Sequence, residues 1–156
     1  MDFFLTCDVE EFSLQHSTIR DEVIPLVHNQ GLPGLLDIFK KYGVLGTFFF
    51  TGYYASKCPE SLLMVKDNGH EIGCHSYSHD SRLYLNKLSI KKQLSEILKA
   101  KTVIEDIVGP IKSFRAPALR FNKYTFEVLI ACGFTHDSSI CPRRFDAFLT
   151  PGTFRE

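Results

Sequence analysis

Short apolar runs that alternate with amphipathic helical segments constrain the fold of this chain more than any other feature. The runs at 3–7 and 44–50 have the length and composition of buried parallel strands. Between them, segment 32–42 carries leucine, isoleucine and phenylalanine at helical spacing and stops before Gly43, a typical signal for a helix end. The pattern therefore predicts a strand, helix, strand unit near the start of the chain.

The alternation continues along the chain. Further helices are predicted at 61–68, 89–108 and 124–132, and further strands at 71–74, 111–114 and 134–136. Strands that alternate with helices indicate an α/β protein, either a barrel or a doubly wound sheet. Because no linker rich in proline, glycine or serine divides the 156 residues, we expect a single domain, 1–156.

Charge and cysteine content argue against several classes of partner. The 18 basic and 18 acidic residues give a formal net charge of zero, which favours neither a nucleic acid nor an anionic membrane surface. The first residues contain neither a basic segment nor a long apolar stretch, so we expect no signal peptide and no membrane span. The five cysteines are an odd number without an export signal, which predicts reduced thiols in a cytoplasmic protein.

Polar side chains follow several of the predicted strands. The loops at the C-terminal ends of barrel strands form the reactive face of such folds, so side chains in these positions are expected to meet. The residues expected at this face are Asp8, Glu10, His75, His79, Arg115 and Asp137.

The spacing of two histidines predicts a metal site. Residues four apart on a helical turn lie on one face, so His75 and His79 can converge on one ion if a carboxylate joins them. Such a set suits zinc and leaves one position for water. Because alternate side chains of a strand project to the same side, Asp8 and Glu10 can share the site, one binding the ion and the other removing a proton. Alone, a histidine pair at this spacing is more often a solvated or hydrogen-bonded helical face.

Four short motifs occur in order along the chain: 6–10 (TCDVE), 75–79 (HSYSH), 114–117 (FRAP) and 137–139 (DSS). In this order they resemble the polysaccharide deacetylases, the nodulation-type enzymes of carbohydrate esterase family four. The resemblance covers residues 3 to about 142. It implies a distorted (β/α) barrel and metal-dependent removal of an acetyl group from an N-acetylated sugar.

The resemblance also implies roles for single residues. Asp8 would be the catalytic base, and His75 and His79 the metal ligands. Arg115 would orient Asp8 through a bidentate ion pair. Pro117, which has no N–H to donate, would shape the loop that lines the substrate site.

Two departures from the family pattern affect these expectations. Most members have a second aspartate directly after the base, whereas this chain has Val9 and then Glu10, so Glu10 is expected as the third metal ligand. This pattern resembles a subgroup that includes both sugar deacetylases and allantoinase-like amidohydrolases.

The second departure concerns the end of the family pattern. Asp137 would tune a later general-acid histidine, but no histidine follows it. We therefore expect a barrel that is truncated at its C-terminal end, with an open sheet edge that favours a homo-oligomer.

The substrate contact and the activity leave alternatives open. Tyr77, between the two histidines, is the predicted contact for a sugar ring, with simple packing as the alternative. The main prediction is a zinc-dependent hydrolase of amide bonds that deacetylates an N-acetylated carbohydrate. The alternatives are a metal-free, allantoinase-like amidohydrolase and a catalytically impaired remnant that binds metal or carbohydrate.

Overall fold

The computed structural model describes residues 4–13 and 18–140. Its strands are β1 (Leu5–Val9), β2 (Phe12–Ser13), β3 (Thr18–Ile19), β4 (Gly46–Phe50), β5 (Glu71–Cys74), β6 (Ser113–Phe114) and β7 (His136–Asp137). In this part of the chain, β2 and β3 form an antiparallel pair, and the other five strands form a parallel sheet in the order β1-β4-β5-β6-β7. The order follows the chain without reversal, as in barrels, whereas doubly wound sheets reverse at their centre.

Helices cover the outer face of this sheet. They are α1 (Val23–Leu26), α2 (Leu32–Tyr42), α3 (Gly52–Lys57), α4 (Pro59–Asp67), α5 (Ile90–Val108) and α6 (Thr125–Ala131). A π-helical segment, Val27–Gly31, joins α1 to α2, with the N–H of Leu32 donating to the carbonyl of Val27. Pro33 explains the widened turn, because its ring clashes with the carbonyl four residues earlier in a regular helix. Every helix in the described ranges is too short or too polar to cross a lipid bilayer.

The two faces of β4 pack against different groups. Phe48 and Phe50 are fully buried in the core that the sheet forms with the helices. Phe49 lies on the opposite face, where the guanidinium of Arg115 is 4.5 Å from the centre of its ring. A Cβ atom at Gly73 would lie only 2.5 Å from the Phe49 ring, so glycine is needed at this position. The inner face of the sheet thus carries the Phe49 ring beside the charged side chain of Arg115.

Most elements predicted from periodicity are confirmed. The helix at 32–42 ends where predicted, at Gly43 with φ of 62°, and the strands at 44–50 and 71–74 are present with small changes at their ends. The first strand extends to Val9 rather than ending at residue 7, so Asp8 lies within it; residue 3 of the prediction lies outside the described residues. The sequence did not predict the β2–β3 pair, α1 or α3. The described cysteines carry free thiols, as expected: Cys7, Cys58, Cys74 and Cys132.

Candidate metal centre

Three side chains converge at the C-terminal ends of β1 and β5. Glu10, His75 and His79 each place one ligand atom within 4.8 Å of the other two, the one such cluster in the described part of the chain. Oε2 of Glu10 lies 3.4 Å from Nε2 of His75 and 3.3 Å from Nε2 of His79. The structure therefore brings together the ligand set expected from the sequence.

The hydrogen bonding of His75 fits a metal ion at its other nitrogen. Nδ1 of His75 lies 2.8 Å from the carbonyl oxygen of Arg115. Since a carbonyl only accepts, Nδ1 carries a proton, and in the neutral imidazole Nε2 then presents a lone pair. Nε2 of His75 and Oε2 of Glu10 are both buried without a hydrogen-bond partner. Two such acceptors that face each other are unfavourable unless a cation lies between them, so these residues fit a metal ion.

The surroundings of His79 also suit metal ligation. Burial lowers the pKa of His79, and the opposing effect of the Glu10 carboxylate does not cancel this shift. A lowered pKa keeps the imidazole neutral near pH 7, which a ligand requires. Its Nδ1 lies 3.4 Å from the hydroxyl oxygen of Tyr84.

The two histidines do not lie on a helical turn, so that part of the sequence argument was wrong. Residues 75–80 form a loop in which Ser76 has φ of 61°. The amides of Gly52 and Tyr53, at the start of α3, donate to the carbonyls of Ser76 and Tyr77 at 2.9 and 2.7 Å. These amides have no partner within their own helix, so they are available to hold the loop. The loop brings the two histidine rings to 5.6 Å between their centres.

Asp8 lies beside the ligand cluster and is held by Arg115. Oδ1 of Asp8 accepts from Nη1 of Arg115 at 2.9 Å, and Oδ2 lies 3.8 Å from Nε2 of His75. The predicted bidentate pair is not found, because the other donors of Arg115 have different acceptors. Nη2 donates to the hydroxyls of Thr6 and Ser138, both at 2.7 Å, and Nε donates to the Ser138 carbonyl at 3.3 Å. The single bond leaves Oδ2 of Asp8 directed toward the cluster.

Comparison with known proteins assigns the family. The profile of the polysaccharide deacetylase family matches residues 20–136. The chain belongs to the polysaccharide deacetylase family. Homologues in this family are hydrolases that act on amide bonds, and the α/β deacetylase fold expected from the sequence is confirmed.

Three relatives illustrate the match. A peptidoglycan deacetylase of Helicobacter pylori is 33% identical over 119 residues, which is 76% of this chain and 40% of that protein. A peptidoglycan-N-acetylglucosamine deacetylase of Bacillus cereus is 31% identical over 120 residues, 74% of this chain and 55% of that protein. The structure of the peptidoglycan deacetylase PdaC from Bacillus subtilis has a TM-score of 0.63 at 28% identity and covers 85% of this chain and 55% of its own. The chain thus spans about half the length of these relatives.

Asp137 and Pro117 of this deacetylase-family chain shape the loop after β6. Oδ1 of Asp137 accepts from the amide of Ser139 at 3.2 Å and from its hydroxyl at 2.5 Å. The Ser139 hydroxyl in turn accepts from the amide of Ala116 at 2.8 Å. Pro117 is buried and begins a turn in which Ala118 and the following residue both have φ of 52°. The catalytic role of Asp137 and the substrate contact of Pro117 stay predictions.

Tyr77 packs against the helices beside the site. Its ring contacts Tyr53 edge to face at 6.3 Å, and Nζ of Lys99 lies 3.4 Å from its centre. A Cβ atom at Gly52 would come within 2.8 Å of this ring. These contacts agree with the packing alternative, and a contact with sugar stays a prediction.

Two groups that lie close to the ligands were not predicted from the sequence, Tyr84 and Glu11. Glu11 is fully buried; its Oε2 accepts from the hydroxyl of Thr51 at 2.6 Å, and its Oε1 has no hydrogen-bond partner. Burial raises the pKa of Glu11, and the bond from Thr51 opposes this shift. The alternation that placed Asp8 and Glu10 on one face would have placed Glu11 on the buried side with Val9. Tyr84 had no comparable signal, because its position depends on a long loop.

Proposed function

We propose that this chain forms the metal centre of a divalent-metal-dependent N-deacetylase, with zinc as the preferred ion and an N-acetylated carbohydrate as the substrate. The observation that carries the proposal is the buried pair of acceptors without partners, Nε2 of His75 and Oε2 of Glu10, with Nε2 of His79 at 3.3 Å from the same oxygen. Two imidazoles and a carboxylate are a donor set that zinc enzymes use. Zinc at this position supplies Lewis acidity toward an amide carbonyl and increases the acidity of water.

Asp8 is the proposed general base. Its Oδ2 lies on the side of the ligand cluster, 3.8 Å from Nε2 of His75, so it can accept a proton from water that attacks the amide carbon. Arg115 is the proposed positioning residue for this base, because its single bond to Oδ1 leaves Oδ2 available. The oxygen of water joins the acyl carbon, the proton that Asp8 removed passes to the amide nitrogen, and the C–N bond breaks, so that acetate and a free amino sugar are the products.

The remaining predicted residues act around this centre. Asp137 is proposed to hold the Arg115 loop through Ser139, whose hydroxyl accepts from the Ala116 amide. Pro117 is proposed to shape the rim where substrate enters, and Tyr77 to contact a sugar ring from the side of α3. Relatives named as peptidoglycan deacetylases support an amino sugar of the peptidoglycan type as the substrate. A cytoplasmic location and a homo-oligomer stay predictions, to be checked by cell fractionation and light scattering.

The test measures bound metal and acetate release on the same samples. Elemental analysis of the purified protein is expected to give one divalent ion per chain, and His75→Ala is expected to lose it. His136→Ala, which removes an exposed histidine outside the cluster, is the matched control and is expected to keep the metal. Acetate release from chito-oligosaccharides and peptidoglycan fragments is expected to stop when a chelator is added and to return with zinc.

Two results would contradict the proposal. One is wild-type protein that binds no stoichiometric divalent ion, or His75→Ala protein that binds as much as the wild type. The other is amide hydrolysis that survives complete removal of metal, which would favour the allantoinase-like alternative. Stoichiometric metal without any acetate release would favour the impaired remnant.

A further inference from the structure

We propose that Tyr84 is a positioning residue that orients His79 and thereby sets the metal affinity of the centre; this inference rests on the proposed metal site. The hydroxyl oxygen of Tyr84 lies 3.4 Å from Nδ1 of His79. The two rings meet edge to face, with their centres 5.5 Å apart and their planes at 83°. Tyr84 therefore contacts the histidine both through its hydroxyl and through its ring.

The proton positions determine the direction of this hydrogen bond. Nε2 of His79 faces the Glu10 carboxylate at 3.3 Å and is the atom that would bind the ion. A neutral imidazole that ligates through Nε2 carries its proton on Nδ1, which must then donate. The Tyr84 hydroxyl oxygen is an acceptor within reach of Nδ1, beside the backbone of His79 itself. A bond to the Tyr84 hydroxyl favours the tautomer that ligation needs, and together with the edge-to-face ring contact it restricts rotation of the imidazole.

The two histidines differ in the kind of group that holds them. Nδ1 of His75 donates to a backbone carbonyl, that of Arg115, at 2.8 Å. No side-chain substitution removes that acceptor. His79 instead has a side-chain hydroxyl beside its Nδ1, so this part of its support can be removed by deleting one oxygen atom. Loss of such an outer partner typically reduces metal affinity or activity about 10- to 100-fold.

The loop that carries Tyr84 is fixed well enough for the hydroxyl to act as a rigid acceptor. Its next residue, Leu85, is fully buried, and the carbonyl of Leu85 accepts from Nδ2 of Asn122 at 3.1 Å. The carbonyl of Leu88 accepts from Nε2 of the buried Gln93 at 3.1 Å. These bonds tie the loop to α5 and to the segment before α6. Ring packing and loop bracing both survive when tyrosine is replaced by phenylalanine, so Tyr84→Phe isolates the hydroxyl.

The experiment compares Tyr84→Phe with Tyr54→Phe in the full chain. Tyr54 is fully buried and its hydroxyl lies 3.0 Å from that of Ser61, so Tyr54→Phe removes a buried hydroxyl outside the ligand cluster. The zinc dissociation constant is measured by competition with a chelating dye, and the absorption bands of bound cobalt(II) report ligand geometry. Thermal unfolding of the metal-free proteins reports stability separately.

We expect Tyr84→Phe to raise the zinc dissociation constant about 10- to 100-fold and to change the cobalt(II) bands. We expect Tyr54→Phe to lower the unfolding temperature while both metal readouts stay at wild-type values. Equal zinc affinity and equal cobalt(II) bands in Tyr84→Phe and the wild type would overturn this inference and leave the proposed function intact. If the wild type itself binds neither zinc nor cobalt(II), the proposed metal centre fails and the role of Tyr84 fails with it.

Discussion

The region that supplies the proposed metal ligands and the region that supports Arg115 are held in position by different means. β1 is paired with β4 along its whole length, and β4 is paired with β5. Backbone hydrogen bonds therefore fix the strands that precede Glu10 and His75. β6 and β7 have only two residues each. Side-chain hydrogen bonds link the segments after these two strands: Arg115 donates to the hydroxyl of Ser138, and the amide of Ala116 donates to the hydroxyl of Ser139.

This difference predicts that metal binding and orientation of the proposed base can be disturbed separately. A substitution among the side chains around β6 and β7 should disturb Asp8 while the ligand cluster persists. A substitution of a ligand should remove the metal while the ion pair of Asp8 with Arg115 persists.

The largest effect is expected for Asp8→Asn. Asparagine keeps the size of the side chain and one oxygen for Arg115, but it cannot accept the proton from water. Deacetylation should therefore fall by about two to four orders of magnitude, while zinc content stays at the wild-type value. Acetate release and elemental analysis check this result, with Asp67→Asn, an exposed residue at the end of α4, as the control. Loss of zinc in Asp8→Asn would show that the two regions are not separable.

The next effect is expected for Arg115→Lys. An ammonium group cannot reproduce the planar set of bonds to Asp8, Thr6 and Ser138. Because Asp8 would be displaced, kcat should fall about 100-fold. The zinc affinity should not change, because the backbone carbonyl that holds His75 is still present. Steady-state kinetics and zinc titration check this, with Arg20→Lys on the surface as the control. A kcat equal to that of the wild type would refute the positioning role.

A smaller effect is expected for Ser139→Ala. The hydroxyl is buried, and its loss leaves the amide of Ala116 without its acceptor. The free energy of unfolding should fall by about 1–3 kcal/mol. Chemical denaturation measures this change, and Ser95→Ala, at an exposed position of α5, should be close to neutral. A stable Ser139→Ala protein would mean that the short strands need no side-chain support.

The smallest effect expected is the pH dependence of stability that His70 causes. The ring of His70 packs against Phe39 and Phe48, and its Nδ1 accepts from the amide of Gly46 at 3.2 Å. Burial lowers the pKa of His70 below its ordinary value of 6.5. The folded state therefore binds this proton less readily than the unfolded state, so stability is complete above pH 6.5 and falls as the pH drops through that value.

The slope for this one proton is at most about 1.4 kcal/mol per pH unit. Thermal unfolding between pH 7.5 and pH 5 checks it, in the presence of chelator so that metal binding does not contribute. His70→Gln, which keeps an acceptor without a titrating group, should show a shallower pH dependence than the wild type. Identical pH profiles would remove His70 as the cause.

Local patterns in the sequence predicted most helices and strands. The features that were not predicted depend on contacts between distant parts of the chain. The helix at 32–42 and the strand at 71–74 depend on nearby residues, so periodicity and Gly43 were sufficient. Alternation along β1, a local property, placed Asp8 and Glu10 on one face, and the family resemblance then indicated Glu10 as the acid that joins His75 and His79. The loop between the histidines did not follow, because α3 holds it through amides distant in sequence.

The same limit applies to the groups that hold the site. Arg115 donates to Thr6 and Ser138, residues far from it in the chain, so its single bond to Asp8 was not apparent from sequence. Tyr84 reaches His79 because Asn122 braces its loop. Such partners become visible only when the fold places distant segments side by side.

The carbonyl of Arg115 separates two consequences of a substitution at this position. In the proposed function, one residue orients the base with its side chain and His75 with its backbone, and every amino acid supplies the same carbonyl. A substitution at position 115 is therefore expected to lower turnover in a single step while the ligand cluster keeps its ion.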